Sequence, residues 1–362
     1  MVDDSRSTDA LVERLFRGTM DALELLSIHV GSTLGLYDAL VAADNGLTPP
    51  ELAERAGIGG RYAREWLEQQ AVAGLIDVDD AAAAEDERRY RLPAEHVPVL
   101  ADREHLAYVA PFGSLLAGVG QALPLLLDAY RRGGGVPYAD YGGAFRGGQG
   151  AINRPAFTQE LPGSWLPTLA DIHARLLAEP AARVAEIGCG QGWAALAIAR
   201  AYPNARVDGF DLDEPSVEEA GAAAREAGLD ARVRFEVRDA IDLESVGPYD
   251  LILILEALHD FARPVEALAG AKAALAPGGS ILVVDEKVGD AFTAPGDEVE
   301  RVMYGWSVLH CLPTQLVETP TAATGTVMRA DTMRRYAAHA GLETEVVPIE
   351  NDFFRFYRLR SA

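Results

Sequence analysis

The 362-residue chain has only two cysteines, Cys189 and Cys311. That is too few for a disulfide framework, so stability must come from a packed core, and a reducing compartment is the simpler expectation. Positive charge is also scarce, with 32 Lys and Arg against 55 Asp and Glu for a net charge of -23. Gripping phosphate backbones or an anionic membrane surface needs clustered cations, so neither a nucleic acid nor a membrane is expected as a partner. Long apolar runs are missing as well. Stretches such as Leu251–Leu255 fall far short of the roughly 20 residues that span a bilayer. The opening residues, MVDDSRSTDA, are acidic where a secretory leader would be basic and then apolar. A cytoplasmic protein is expected. What is present is ordinary globular material, 49% hydrophobic and 24% charged. The length suggests two domains or one enlarged domain.

Three textures divide the chain. Between Asp9 and Val41, Leu11, Leu15, Leu23, Leu26, Val30 and Leu34 recur at helical spacing on one or two amphipathic helices. Thr48-Pro49-Pro50-Glu51 then opens a helix with the spacing of a capping box, which breaks at Gly57. A second helix runs over 61–73. Leu75–Val78 and Arg89–Leu92 read as the two strands of a wing, completing a winged-helix pattern. Such a module either binds DNA or serves as a scaffold and dimerisation unit. From Asn45 to Glu95 six arginines stand against eleven acidic residues, and the second helix carries Glu65 and Glu68, which favours the scaffold. Residues 98–180 read as helices interrupted by a long irregular segment, Gly133–Gly150. It is rich in glycine and carries Tyr138, Tyr141 and Phe145, which suits a lid or pocket wall. From Ala182 strands and helices alternate, with strands expected at 183–187, 206–210, 232–237, 250–255, 281–285, 344–349 and 353–359. That pattern predicts an α/β fold, a seven-stranded, mostly parallel Rossmann-like sheet whose last two strands pair antiparallel. The expected domains are therefore 1–97, a helical dimerisation and winged-helix domain; 98–180, a connector and substrate lid; and 181–362, a ligand-binding α/β domain.

The chemistry concentrates in the α/β part. A buried strand ends in Glu186, and Gly188, Gly190 and Gly192 then turn the chain into a helix, with Cys189 between the first two. Glycines there let the backbone approach a ligand, and the helix start offers free N–H groups. A dinucleotide fingerprint needs glycine at 193, where this chain has tryptophan. An acid two residues before G-x-G-x-G instead resembles the first motif of class I S-adenosylmethionine-dependent methyltransferases. Asp211-Leu212 follows at the end of the second strand, where a carboxylate can accept ribose hydroxyls. Arg238-Asp239-Ala240 resembles the segment that holds adenine in that class, and Pro277-Gly278-Gly279 precedes the fifth strand.

The fourth strand ends in Glu256-Ala257-Leu258-His259-Asp260-Phe261, at the sheet edge where ligands bind. This stretch resembles the His-Asp-Trp segment of plant-type small-molecule O-methyltransferases and their actinobacterial relatives, which also carry an N-terminal winged-helix dimerisation domain. The resemblance implies S-adenosyl-L-methionine as methyl donor, held by Glu186, Gly188, Cys189, Gly190, Gly192, Asp211, Leu212, Asp239, Ala240 and Glu256. It implies a homodimer through the N-terminal helices. It further implies His259 as general base flanked by Asp285 and Glu318, with Tyr138, Tyr141 and His310 toward the substrate.

The expected reaction is O-methylation of a hydroxyl on a small secondary metabolite. An imidazole near ~6.5 can take the acceptor's proton at neutral pH, while the enzyme aligns nucleophile, methyl and sulfur. Phe261 departs from that segment by replacing its tryptophan, and the alternative reaction is N- or C-methylation, in which His259 would orient the substrate. His259, Asp260 and His310 also offer a donor set for a metal. A ligand-sensing DNA-binding regulator is disfavoured by the acidic wing, and a nicotinamide-dependent oxidoreductase by Trp193.

Overall fold

A computed structural model describes residues 7–362. The chain forms two compact units, one comprising residues up to Gly120 with Gly143–Pro155, the other Gln121–Gly142 with Ala156–Ala362. The segment 98–180 is thus shared between them.

In the first unit, α1 (Thr8–Thr33) is capped by Ser7 and followed by α2 (Leu36–Val41) across Gly35 at φ 67°. Helix α3 (Pro49–Ala56) starts with the expected capping box: the Glu51 amide donates to Thr48 Oγ1 at 3.4 Å and the Thr48 amide to Glu51 Oε2 at 2.8 Å. Helix α4 (Gly60–Val72) and the antiparallel strands β1 (Asp77–Val78) and β2 (Tyr90–Arg91) complete the winged helix. Its core is built on Tyr37, Leu52, Trp66, Leu67 and Tyr90.

The expected irregular segment is mostly helical. Residues 142–155 form a helix (Gly142–Pro155) after a short turn at Tyr138–Tyr141. The glycines there serve packing rather than disorder. At Gly148 an added Cβ would stand 3.0 Å from the Cβ of Ser114 on the helix Phe112–Arg132, closer than two side chains tolerate. That second helix is long and apolar enough to cross a membrane by length and composition alone, a feature that no uninterrupted apolar run had signalled. Leu115, Val119, Ala122 and Leu126 bury one face of it in the fold, as a core helix does.

The second unit holds a seven-stranded sheet: β3 (Arg183–Ile187), β4 (Arg206–Asp211), β5 (Val233–Val237), β6 (Tyr249–Leu255), β7 (Leu275–Glu286), β8 (Leu342–Val347) and β9 (Phe354–Ser361). Their order is β5-β4-β3-β6-β7-β9-β8, parallel except for the β7–β9 and β8–β9 pairs. Aliphatic residues bury both faces of the sheet. Val184, Leu251, Leu253 and Val284 point to one layer and Ala185, Ile252, Ile254 and Val283 to the other. Pro277-Gly278-Gly279 lies inside β7, which begins at Leu275 and is irregular in register against β6 there, rather than in a loop before the strand. The strand order reverses between β3 and β6, and the carboxyl ends of the strands at such a switch point are the general location of ligands in these sheets.

Candidate active site

The loop after β3 is shaped by glycine. Gly188, Gly190 and Gly192 all have positive φ, at 69°, 48° and 77°. At Gly188 a Cβ would come within 2.7 Å of Ala257 Cβ, and at Gly192 within 2.4 Å of the Phe235 ring. Any other residue would be both strained and blocked at these two positions. At Gly190 an added Cβ would meet nothing within 4 Å, so the turn opens onto free space. Asp211 Oδ2 accepts the Gly190 amide at 2.8 Å and Oδ1 accepts that of Asp213 at 2.9 Å. Each oxygen keeps a lone pair for a further donor, and burial pushes this carboxyl above its ordinary range. Leu212, directly after it, is 63% exposed, apolar surface beside an open turn. Asp239 Oδ1 accepts the Ile241 amide at 3.0 Å and Oδ2 accepts from Arg263 at 3.1 Å, and Ala240 beside it is buried.

Glu186 is enclosed, and its Oε2 accepts the Ala195 amide at 2.8 Å, near the start of the following helix. Burial raises its pKa to about 8. Burial likewise holds the Cys189 thiol well above its usual value, so it is an unreactive filler in the turn. Glu256, at the end of β6, sits at φ 47°, a strained value for a side-chain-bearing residue.

His259 stands on a short turn, Leu258–Asp260, just past β6, and is buried. Its Nδ1 lies 3.0 Å from Asp285 Oδ1 and 3.1 Å from Glu286 Oε2, both at the end of β7, and its Nε2 is 3.5 Å from Asp260 Oδ1. Burial alone would depress the imidazole's pKa, but Glu286, Asp285 and Asp260 outweigh it and hold it well above the ordinary value. The expectation of an unperturbed imidazole is corrected accordingly.

Glu318 is not part of this cluster. It pairs with Arg263 at 3.7 Å on the outside of the site, and Glu286 supplies the second carboxylate. Glu286 is not signalled by the sequence, since consecutive residues on a strand point to opposite faces. Being last on β7, its longer side chain reaches the same Nδ1 as Asp285. The buried Gln315 is likewise not signalled. Its Nε2 donates to the His259 carbonyl and its Oε1 accepts the Gly325 amide at 3.2 Å, tying the histidine turn to the segment after it.

His310 and Cys311 lie on a π-helical turn, Ser307–Cys311. The His310 ring meets Tyr141 edge-on at 4.7 Å and Tyr138 at 5.7 Å between centroids, and Tyr141 donates to the Leu309 carbonyl at 2.7 Å. Burial lowers the His310 pKa to about 4, so its ring is neutral. Of the donor set His259, Asp260 and His310, the fold brings only the first two into a common cluster: among the described residues the atoms of His259, Asp260 and Cys311 gather within 4.8 Å, and so do those of His259, Asp285 and Glu286. Burial pushes the Cys311 thiol up to about 12. Phe145, grouped with the tyrosines in the sequence, is buried in the helix Gly142–Pro155.

Comparison with known proteins agrees with this geometry. Residues 178–337 match a family described as a methyltransferase domain, and residues 22–102 match the Rv2258c-like winged HTH domain. Acetylserotonin O-methyltransferase of Mus musculus is 28% identical over 312 residues, 80% of this chain and 78% of the relative. The 27-O-demethylrifamycin SV methyltransferase of Amycolatopsis mediterranei is 35% identical over 104 residues, 28% of this chain and 38% of the relative. Among solved structures, mitomycin 7-O-methyltransferase MmcR superposes with a TM-score of 0.67 at 20% identity, covering 98% of each chain. Human N-acetylserotonin methyltransferase does so with 0.68 at 17%, covering all of both. The chain thus carries a region that matches a methyltransferase domain, with a region that matches a winged helix–turn–helix domain ahead of it.

Proposed function

We propose that the protein methylates a hydroxyl group on a small molecule, with His259 as general base. The observation that carries this reading is the buried His259–Asp285 contact of 3.0 Å at the carboxyl edge of the sheet. Asp285 fixes the Nδ1–H tautomer, which leaves Nε2 as the atom that takes the acceptor's proton. The residues around the glycine turn fit the donor. Open space lies over Gly190, Asp211 has lone pairs to spare for ribose hydroxyls, and the exposed Leu212 offers an apolar flank for a purine. Asp239 and Ala240, at the start of the turn after β5, are the residues we assign to the adenine. When bound, S-adenosylmethionine supplies an electrophilic methyl group on a sulfonium. Tyr138, Tyr141 and the neutral His310 ring wall the acceptor side with aromatic surface, which suits a planar phenolic molecule. The relatives named as O-methyltransferases act on small molecules by their names, and the reading follows them.

Calorimetry tests the donor site. S-adenosylhomocysteine should bind the wild type, and Asp211→Ala should weaken it at least about tenfold, the loss of two charge-assisted hydrogen bonds. Heat with NAD and none with either sulfur nucleoside would sink the reading. The acceptor should emerge from a screen of phenolic compounds with methyl-labelled donor.

A DNA-binding regulator gains no support from the winged helix. Five of its six arginines are engaged in ion pairs: Arg61 with Glu65, Arg64 with Glu85, Arg88 with Glu68 at 2.7 Å, Arg89 with Glu51 at 2.8 Å and Arg91 with Asp79 at 2.5 Å. Cations already neutralised are poor replacements for phosphate counterions.

The same unit favours a homodimer. Helix α1 leaves Leu15 61%, Phe16 66% and Leu23 62% exposed on one continuous side, a larger apolar stripe than a monomer keeps in water. Light scattering should give the mass of two chains for the wild type, and of one for Leu15→Glu/Phe16→Glu with its helix content kept. A single-chain mass for the wild type at micromolar concentration would refute the dimer.

A further inference from the structure

The turn that carries His259 is a short one, Leu258–Asp260, so its last carbonyls find no partner within it and need donors from elsewhere. One segment supplies them. Gln315 Nε2 donates to the His259 carbonyl, and the Ala322 amide donates to the Ala262 carbonyl at 2.7 Å. Gln315 is the last residue of a short helix, Leu312–Gln315, which continues directly from the π-helical turn bearing His310 and Cys311. Its Oε1 accepts the Gly325 amide at 3.2 Å. Gly325 in turn packs on Ser307, the first residue of that π-helical turn, and an added Cβ there would collide with Ser307 Oγ. The strap carrying Tyr138 and Tyr141 is seated on the same helix. The Val136 amide donates to the Pro313 carbonyl at 2.9 Å, and Gly135 lies too close to Pro313 and Val317 for any Cβ. Gln315 is buried, and burying an amide is costly unless both of its ends are used. Glutamine is the neutral side chain of this length that donates at one end and accepts at the other.

We propose that Gln315 is a positioning residue, which sets the His259 ring at a fixed distance from the aromatic wall of His310, Tyr138 and Tyr141. The helix Leu312–Gln315 is then the frame on which base and wall are both mounted, so that an acceptor lying on the wall presents its hydroxyl to Nε2. A misplacement of about 1 Å at a reacting centre costs roughly a hundredfold in rate, so a residue that touches no substrate still governs turnover. The inference rests on the reading of His259 as base, and the first of its two tests does not need that reading.

Gln315→Met keeps the length and bulk of the side chain and removes both hydrogen bonds. Hydrogen exchange of the full chain is the first test. Amides of the segment 257–263 should exchange about tenfold faster in Gln315→Met, as a lost buried hydrogen bond implies, while those of 184–196 stay within about twofold of wild type. No change at 257–263, or an equal rise throughout the chain, would overturn the proposal. Kinetics with the most active phenol from the labelled-donor screen give the second test. Gln315→Met should lower kcat about 10–100-fold and leave KM for that phenol within about threefold. In a His259→Ala background the same replacement should cost less than about twofold, because the group it positions is gone. An equal loss in both backgrounds would show that Gln315 does not act through His259, and would equally overturn the proposal. Should Gln315→Met not fold, Gln315→Asn carries the same expectations, since it keeps the amide but is one methylene too short to bridge both partners. Full turnover in His259→Ala would instead be a failure of the base reading, and exchange would still decide whether Gln315 holds the turn.

Discussion

Replacing His259 with alanine should lower turnover by about 10²–10⁴-fold, the usual contribution of a positioned proton acceptor, and leave affinity for S-adenosylhomocysteine within about twofold. The separation follows from the architecture. The nucleoside site proposed above lies on the turn after β3 with Asp211 and Asp239, whereas His259 lies past β6 and is held by groups from β7. The pH dependence sharpens the test. Burial alone would favour the neutral ring, but Glu286, Asp285 and Asp260 hold the pKa well above the ordinary value. Only the neutral form can accept a proton, so below that pKa the rate should climb about tenfold per pH unit and then level off, with its inflection on the alkaline side of ~6.5. Asp285→Asn removes a stabilising negative charge and should move the inflection to lower pH. A flat profile, or full turnover in His259→Ala, would leave the histidine as a mere wall of the pocket and favour methylation at a nitrogen or carbon that needs no base.

What could be read from the sequence was local or periodic. The Thr48/Glu51 cap, the turn at Gly188, Gly190 and Gly192 and the alternating strands each depend on a few neighbouring residues, and the structure shows them close to where periodicity placed them. The carboxylates around His259 depend on where separate segments end in space. Glu318 looked suitable by order along the chain, yet Arg263 holds it outside, and Glu286 arrives only because the strand stops there. The exchange of Cys311 for His310 has a related cause. The two residues are neighbours on one π-helical turn, Ser307–Cys311, and which of their side chains meets the histidine depends on a geometry that no local sequence pattern discloses. The glycines of 142–150 misled for the opposite reason. Glycine content suggests freedom, but at Gly148 it answers a steric need of the packed state, which composition alone does not reveal.

The largest stability effect is expected at Glu186, and its sign follows from burial. Enclosure raises this carboxyl from its ordinary value of 4.5 to about 8. Between those values the folded chain holds a proton that the unfolded chain has released. Such a group contributes its full stability below about pH 4.5 and loses it progressively as pH rises toward about 8. Near pH 7 the folded state therefore carries a penalty of about 3 kcal/mol, some 2.5 units at about 1.4 kcal/mol each. Glutamine is neutral in both states and keeps a carbonyl for the Ala195 amide that Glu186 Oε2 now accepts at 2.8 Å. Without bound nucleoside, Glu186→Gln should thus be as stable as wild type near pH 4.5 and up to about 3 kcal/mol more stable near pH 7. Denaturant unfolding of the methyltransferase unit at the two pH values measures the difference. If the variant were less stable at neutral pH, or if its advantage did not grow with pH, Glu186 would be ionised in the fold. Something not yet identified would then have to compensate a buried charge at the end of β3. Natural sequences tolerate such a penalty where a site needs the group, and here that cost falls beside the turn proposed to hold the methyl donor.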